Sequence, residues 1–323
     1  MNKPKLLCKF KAKLSNGLIK YSYPLISVFE RIIASKKRVR RASSHSPIFI
    51  IGAPRTGSTI LYQALTNAYS VKYIDNQASR WYRNLLFGMW LSHRKYLNSP
   101  HDNFKADHGD TNKYGGHAPS ECGSFWYKWL PKDRHFVDHD EVTTLMKEGL
   151  RSDVNRVQEY FATPMLFKNL NAGQRLRLIS KSFPDAKIIF LRRDPRFVVR
   201  SIMKARSKVG IAPDSWWSVM PPNIKELAHL PERKKCAAQV YFLEKQISDD
   251  LTLFPLDNVR TLHYQDLNEE TIRNLAKWLK IKPKMGGDIP SFEHDCFDHL
   301  SQKEQAELNS VVDCYPFEKD LFV

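Results

Sequence analysis

The pattern of apolar and polar positions divides the chain after residue 47 into short strands and longer helices. The stretch "IFIIGA" opens with an uninterrupted apolar, mostly β-branched run, as expected of a strand buried on both faces of a parallel sheet. In "STILYQALTNA", just beyond it, Ile60, Leu61, Ala64, Leu65 and Ala68 recur at helical spacing, so a strand, a glycine loop and a helix come in that order. Residues 98–120 are rich in Gly, Asn, Asp, His and Pro and predict a long loop bordering a site, with the aromatic cluster "SFWYKWL" after it. Residues 142–182 read as helices. The segment "FPDAKIIFLRRDP" then predicts a turn, a buried strand over 187–191 and a charged exit, and "RFVVRSIMKARS" continues as a helix. A long amphipathic helix ("KKCAAQVYFLEKQISDDLTLF"), a strand ("NVRTLHY") and a helix with a capping-box-like start ("NEETIRNLAKWLKI") complete the pattern. Strands alternating with helices argue for an α/β fold, a parallel sheet with helices on both faces.

Composition changes this picture in one place. The chain has 323 residues, with 51 Lys and Arg against 34 Asp and Glu, a formal charge of +17. Before Pro47 there are twelve Lys and Arg and a single acid, Glu30, so +11 of that charge lies in a leader and the remainder carries only +6. A uniformly basic nucleic-acid binder is therefore a poor description, and no nucleic-acid partner is expected. The polar linker "RASSHSP" sets the expected boundary: a basic leader over 1–46, helical or partly disordered, and one domain over 47–323. Two readings of the leader stand side by side. It is a solvated helical extension, or a basic amphipathic segment ("YPLISVFERIIA", then "KKRVRR") resting peripherally on an anionic membrane. No apolar run is long enough to predict a transmembrane helix, and the leader lacks a signal-peptide cleavage site, so the expected location is the cytoplasm, with membrane association through the leader under the second reading. Five scattered cysteines, without a C-x-x-C pair, point to free thiols.

The candidate chemistry lies at two strand ends. "IIGAPRTGST" is close to a phosphate-binding loop, but Ser58 stands where a nucleotide-binding lysine belongs, and a cation appears earlier, at Arg55. Backbone N–H groups of Thr56, Gly57, Ser58 and Thr59, with the side chains of Arg55, Ser58 and Thr59, can grip a tetrahedral oxyanion. In "FLRRDPRFVVRS", Arg193 falls at a strand's carboxyl edge and Ser201 eight residues on; the bland alternative is a surface ion pair between Arg193 and Asp194. A nucleotide hydrolase would place an acid there to hold magnesium. Two anion grips suit a nucleotide phosphorylated at two separated positions.

These residues resemble the sulfotransferases that use 3′-phosphoadenosine 5′-phosphosulfate. "PRTGST" (54–59) matches that family's 5′-phosphosulfate loop, and "RDPRFVVRS" (193–201) its 3′-phosphate motif. "MLFKN" resembles the family's lysine-bearing strand, and "HYQDLNEETIRNLAKWLKI" its Tyr-Glu-Asp-Leu segment, with Gln265 in place of the acid. Asn169 follows Lys168 where Ser or Thr is common, which sets the chain closer to the carbohydrate-type and bacterial branches. The resemblance implies a P-loop-like three-layer sandwich with a central parallel sheet flanked by helices. It also implies transfer of a sulfuryl group from that donor to a hydroxyl acceptor, a glycan or glycolipid. By the same resemblance Arg55 and the loop would hold the phosphosulfate, Lys168 would neutralise the leaving oxygen, and Arg193 and Ser201 would hold the 3′-phosphate. Glu121, in "HAPSECGSFW", is the first choice of base, ahead of Asp75 and His117. The chemistry requires no metal, and the clusters "HDNFKADHGD" and "RHFVDHDE" lack fixed ligand spacing. Of Trp216 and Trp217, one is expected at the cleft and the other in the core. Two alternatives stay open: a nucleotide kinase or NTPase with a degenerate loop, and a non-catalytic protein that binds the donor or its bisphosphate product.

Overall fold

Strand β1 (Ile48–Ile51) is fully buried because it has a helical layer on either side. Ile48 and Ile50 face one apolar cluster with Leu61, Leu65, Ile272 and Leu275; Phe49 and Ile51 face another with Val154, Ile179 and Ile247. The period-two pleat sends alternate side chains to opposite layers, so an all-apolar strand is the sequence such a position demands. A computed structural model describes residues 22–34, 45–294 and 296–322. The expectations for 1–21 and for "KKRVRR" lie outside them.

Along the chain, α1 (22–34) precedes β1. Then come α2 (Ser58–Ala68), α3 (Asn76–Ser79), α4 (Leu85–Tyr96), α5 (Gly123–Trp126) and α6 (Thr144–Phe161). Strand β2 (Leu166–Lys168), α7 (Leu176–Ser182), β3 (Lys187–Arg192), α8 (Pro195–Val209), α9 (Ile224–Leu227) and α10 (Glu232–Leu251) follow. Strand β4 (Val259–His263), α11 (Glu269–Leu279) and α12 (Gln302–Val312) complete the order. The four strands are parallel in the order β2-β1-β3-β4, with Ile48 paired to both Leu166 and Lys187, and Arg192 to His263. Helices α2 and α11 cover one face, and α6, α7 and α10 the other. The expected three-layer α/β sandwich with a central parallel sheet is what the chain forms.

Because β1 is followed in space by β2 on one side and β3 on the other, the chain reverses direction across the sheet between β1 and β3. Open parallel sheets bind ligands at that switch point, outside the carboxyl ends of the strands. The loops leaving β1 and β3, residues 52–57 and 193–194, both open there.

Two elements depart from expectation. The helical reading of 142–182 is broken by β2, whose three buried residues pair with β1; a run that short carries no period of its own. Helix α4 occupies a stretch that gave no prediction. Residues 98–120 hold no helix or ladder strand, as expected of a long loop. Of the cysteines, Cys122 and Cys236 are buried and Cys296 and Cys314 exposed, all free; Cys8 lies outside the described residues. Among the described residues no helix is long and apolar enough to cross a membrane.

Candidate active site

The loop after β1 is shaped for close approach. Gly57 has φ of 90°, and a Cβ there would lie 2.3 Å from the ring of Tyr264, so only glycine fits. Helix α2 starts at Ser58 with no side-chain cap and no acid in its first turn. Its leading N–H groups and the positive end of its dipole are left for a ligand. Ser58 and Thr59 line the cleft in front of it. Thr56 is turned the other way: its hydroxyl donates to the Ala53 carbonyl at 3.0 Å and is fully buried, leaving its backbone N–H for the loop.

The second motif sits on the turn from β3 into α8. Asp194 caps α8, accepting from the Arg196 amide at 2.8 Å, and Pro195 takes the first helical position. The carboxylate is fully buried and also takes the Arg196 Nε at 3.0 Å, so Asp194 serves the turn into α8 from inside the protein and is no surface group. This turn brings Arg193 to the loop, where its guanidinium donates to the Arg55 carbonyl at 3.0 Å and lies over the Tyr264 ring, 4.4 Å from its centre. Arg55 Nε in turn donates to the Ser201 hydroxyl at 3.0 Å. Burial pulls both guanidinium groups below their ordinary value, yet arginine starts so high that each stays charged.

Arg55, Lys168, Arg193 and Lys208 all line one cleft of about 380 Å³, whose acid, Asp107, is engaged by Lys113 at 2.8 Å. Lys168 ends β2. Its side chain is 2% exposed and its ammonium donates to Glu121 Oε1, whose side chain is 30% exposed. Glu121 itself lines a second cavity of about 390 Å³, edged by Ser79, Asp110, Thr111, Asn112 and Ser120. The two cavities share a wall at His108 and Gly109. Gly109 has φ of 98°, and a Cβ on it would come within 2.6 Å of Glu121 Oε1, so the partition is backbone laid against the ion pair.

The family profile described as "Sulfotransferase family" matches residues 47–282. This chain belongs to the sulfotransferase family. Comparison with the curated proteins finds no match. Among solved structures, the sulfotransferase STF1 from Mycobacterium tuberculosis is 11% identical, aligning 88% of this chain with 82% of its own at a TM-score of 0.49. A sulfotransferase from Alicyclobacillus acidocaldarius is 11% identical, over 84% of this chain and 92% of its own, with a TM-score of 0.42. STF9 from Mycobacterium avium is 15% identical, over 85% and 69%, with a TM-score of 0.44.

In this sulfotransferase, the residues expected from the two motifs converge, together with Lys168 and Glu121. Asp75 and His117 do not join them. Asp75 is buried, caps α3 through the Ala78 amide at 2.7 Å, and meets His117 Nδ1 at 3.2 Å. Both face a separate cavity of about 300 Å³ that also holds Lys72 and Lys284. Trp217 lines the cleft, its ring edge-on to His108 at 5.9 Å; Trp216 is half-buried beside Lys235, not in the core as expected for one of the pair. Lys208, His108 and Tyr264 were not singled out by sequence. Tyr264 carried a signal in the "HYQDL" segment, whereas Lys208 reads as an ordinary solvated helix residue. Among the described residues no three His, Cys, Asp or Glu gather into a group that could hold a metal.

Proposed function

We propose that residues 47–323 transfer a sulfuryl group from 3′-phosphoadenosine 5′-phosphosulfate to a hydroxyl of a carbohydrate-type acceptor, a glycan or glycolipid, with 1–46 as an accessory segment. The observation that carries the reading is the Lys168–Glu121 pair, lodged where a cleft lined by cations meets a second, polar cavity. When bound, the donor supplies the sulfuryl group and a bridging oxygen that must leave with negative charge.

Arg55, the 56–59 amides and the N-terminus of α2 suit the 5′-phosphosulfate, and Arg193 with Ser201 suits the 3′-phosphate. Tyr264 backs both grips, against Gly57 on one side and Arg193 on the other. Lys168 neutralises the leaving oxygen, where a buried ammonium acts more strongly than one in water. Glu121 takes the proton of the acceptor hydroxyl as its oxygen bonds to sulfur and the bond from sulfur to the bridging oxygen breaks. The Ser, Thr and Asn edges of the second cavity support an acceptor rich in hydroxyl groups.

Calorimetric titration with 3′-phosphoadenosine 5′-phosphate, beside AMP and Mg·ATP, tests the donor assignment. Micromolar binding of the bisphosphate that is lost in Arg193→Ala is the expected result; preference for Mg·ATP would return the loop to the nucleotide kinases and hydrolases. Bisphosphate binding with no turnover of labelled donor on any sugar acceptor would leave the non-catalytic binding protein.

A further inference from the structure

Helix α1 turns Ser27 and Glu30 inward beside Ile33 and Ala34, and leaves a second apolar stripe facing outward. At 100° per residue, Leu25, Val28, Phe29 and Ile32 fall on one stripe, and they are 77, 56, 40 and 47% exposed. The opposite side carries Ser27 and Glu30. Glu30 is 5% exposed and accepts from the Phe87 amide at 2.8 Å and from Asn84 Nδ2 at 3.2 Å, while Asn84 also donates to Ser27 Oγ at 2.9 Å. These bonds to the start of α4 fix the rotation of α1. An amphipathic helix left to itself would turn its apolar stripe to the core. Here the only acid of the first 46 residues is held against the body, while Leu25, Val28 and Ile32 face outward and Phe29 joins the stripe to α4.

The stripe continues onto α4. Phe29 meets Phe87 and Trp90 edge-on at 5.9 and 5.8 Å, and Arg94 lies 5.3 Å from the Trp90 ring. Arg31, Arg83, Arg94 and Lys95 are exposed around it. Lys36, Lys37, Arg38, Arg40 and Arg41 follow α1 in sequence, and six lysines precede it. An apolar and aromatic stripe ringed by cations is the composition of a segment that lies in a membrane interface. A second copy of this chain fits poorly, because pairing two such faces would bring two leaders of +11 together.

We propose that α1 and the adjoining edge of α4 seat this protein on an anionic lipid surface, with the stripe among the acyl chains and the flanking cations at the headgroups. The proposal is independent of the transferase reading, since no residue of the cleft takes part.

The test is flotation of the full chain with vesicles of phosphatidylcholine, alone or mixed with phosphatidylserine. Wild type is expected to float with the mixed vesicles only, and less at raised salt. Leu25→Glu/Val28→Glu should lower the bound fraction at least tenfold, while Leu25→Trp should keep or raise it. The control is Leu145→Glu/Leu256→Glu, which adds the same charge at two exposed leucines elsewhere (72 and 88% exposed) and should float like wild type. Absence of wild-type binding, or equal binding by the stripe variant, overturns the proposal. So does a wild-type dimer in sedimentation that the stripe variant dissociates while flotation is unchanged.

Discussion

The Arg55 guanidinium donates through Nε to the hydroxyl of Ser201, 3.0 Å away, so the loop after β1 and the helix after β3 are bonded to each other as well as aimed at one ligand. The bond orients a charged fork that would otherwise sample several rotamers. Ser201→Ala should therefore weaken bisphosphate binding by about fivefold, near 1 kcal/mol. Arg55→Lys should cost more, roughly tenfold or above, because an ammonium cannot present the same planar fork. Calorimetry on the two variants checks both, and a loss in the serine variant well beyond fivefold would measure the further share that comes from its own contact with the 3′-phosphate.

Gly57 and Tyr264 form a fitted pair. Gly57→Ala should lower bisphosphate affinity at least tenfold, since the new methyl meets the ring at 2.3 Å and φ of 90° disfavours any side chain. Adding Tyr264→Ala should recover part of the loss and no more. The remaining backbone strain of about 1–2 kcal/mol persists, and the platform under Arg193 is gone.

Lys168→Met and Glu121→Gln separate chemistry from binding. Each is expected to lower kcat by about 10²- to 10⁴-fold, the range for a lost proton acceptor or charge stabiliser, while bisphosphate affinity changes only a few-fold. Glu121→Gln should also lower thermal stability, because it removes the charge partner of a buried ammonium. Retained turnover in Glu121→Gln, measured with labelled donor, would sink the assignment of the base.

Lys284 offers a test by pH away from the cleft. Burial, with the neighbouring Lys72, pulls its ammonium down from 10.5 to about 8. Between those values the unfolded chain keeps a proton that the folded chain has released, so wild-type stability gains as pH rises through that window. Lys284→Met, which gives up the ammonium over the Tyr73 ring and its bond to the Thr66 carbonyl, should still stabilise the protein by about 1–2 kcal/mol at pH 7. That advantage should fade as pH approaches 10.5. Thermal melts of both proteins at pH 7 and at pH 10 decide the matter; a constant difference would assign it to packing.

What was legible in the sequence was local. Strands β1 and β3 announce themselves as apolar runs, α11 by its cap, and the two motifs by glycine and arginine at fixed offsets. Periodicity did not show strand β2, because three residues fix no period; only the resemblance of "MLFKN" to a lysine-bearing strand pointed to it, and what makes it a strand is β1 beside it. Partnership across distance was not legible either. Glu121 and Lys168 are 47 residues apart, Asp75 and His117 are 42 apart, and nothing along the chain says which carboxylate faces the lysine and which faces the histidine. Nor does composition say which way an amphipathic helix is rotated; for α1 that depended on the Phe87 amide and Asn84 waiting for an acid.

The thin partition at His108 and Gly109 bears on the order of events in catalysis. With the donor in the cation-lined cleft and the acceptor in the polar cavity, the two would meet at the ion pair, each in its own seat. Under that arrangement either can arrive first. The bisphosphate product would compete with the donor alone, leaving the acceptor's occupancy of its own chamber undisturbed.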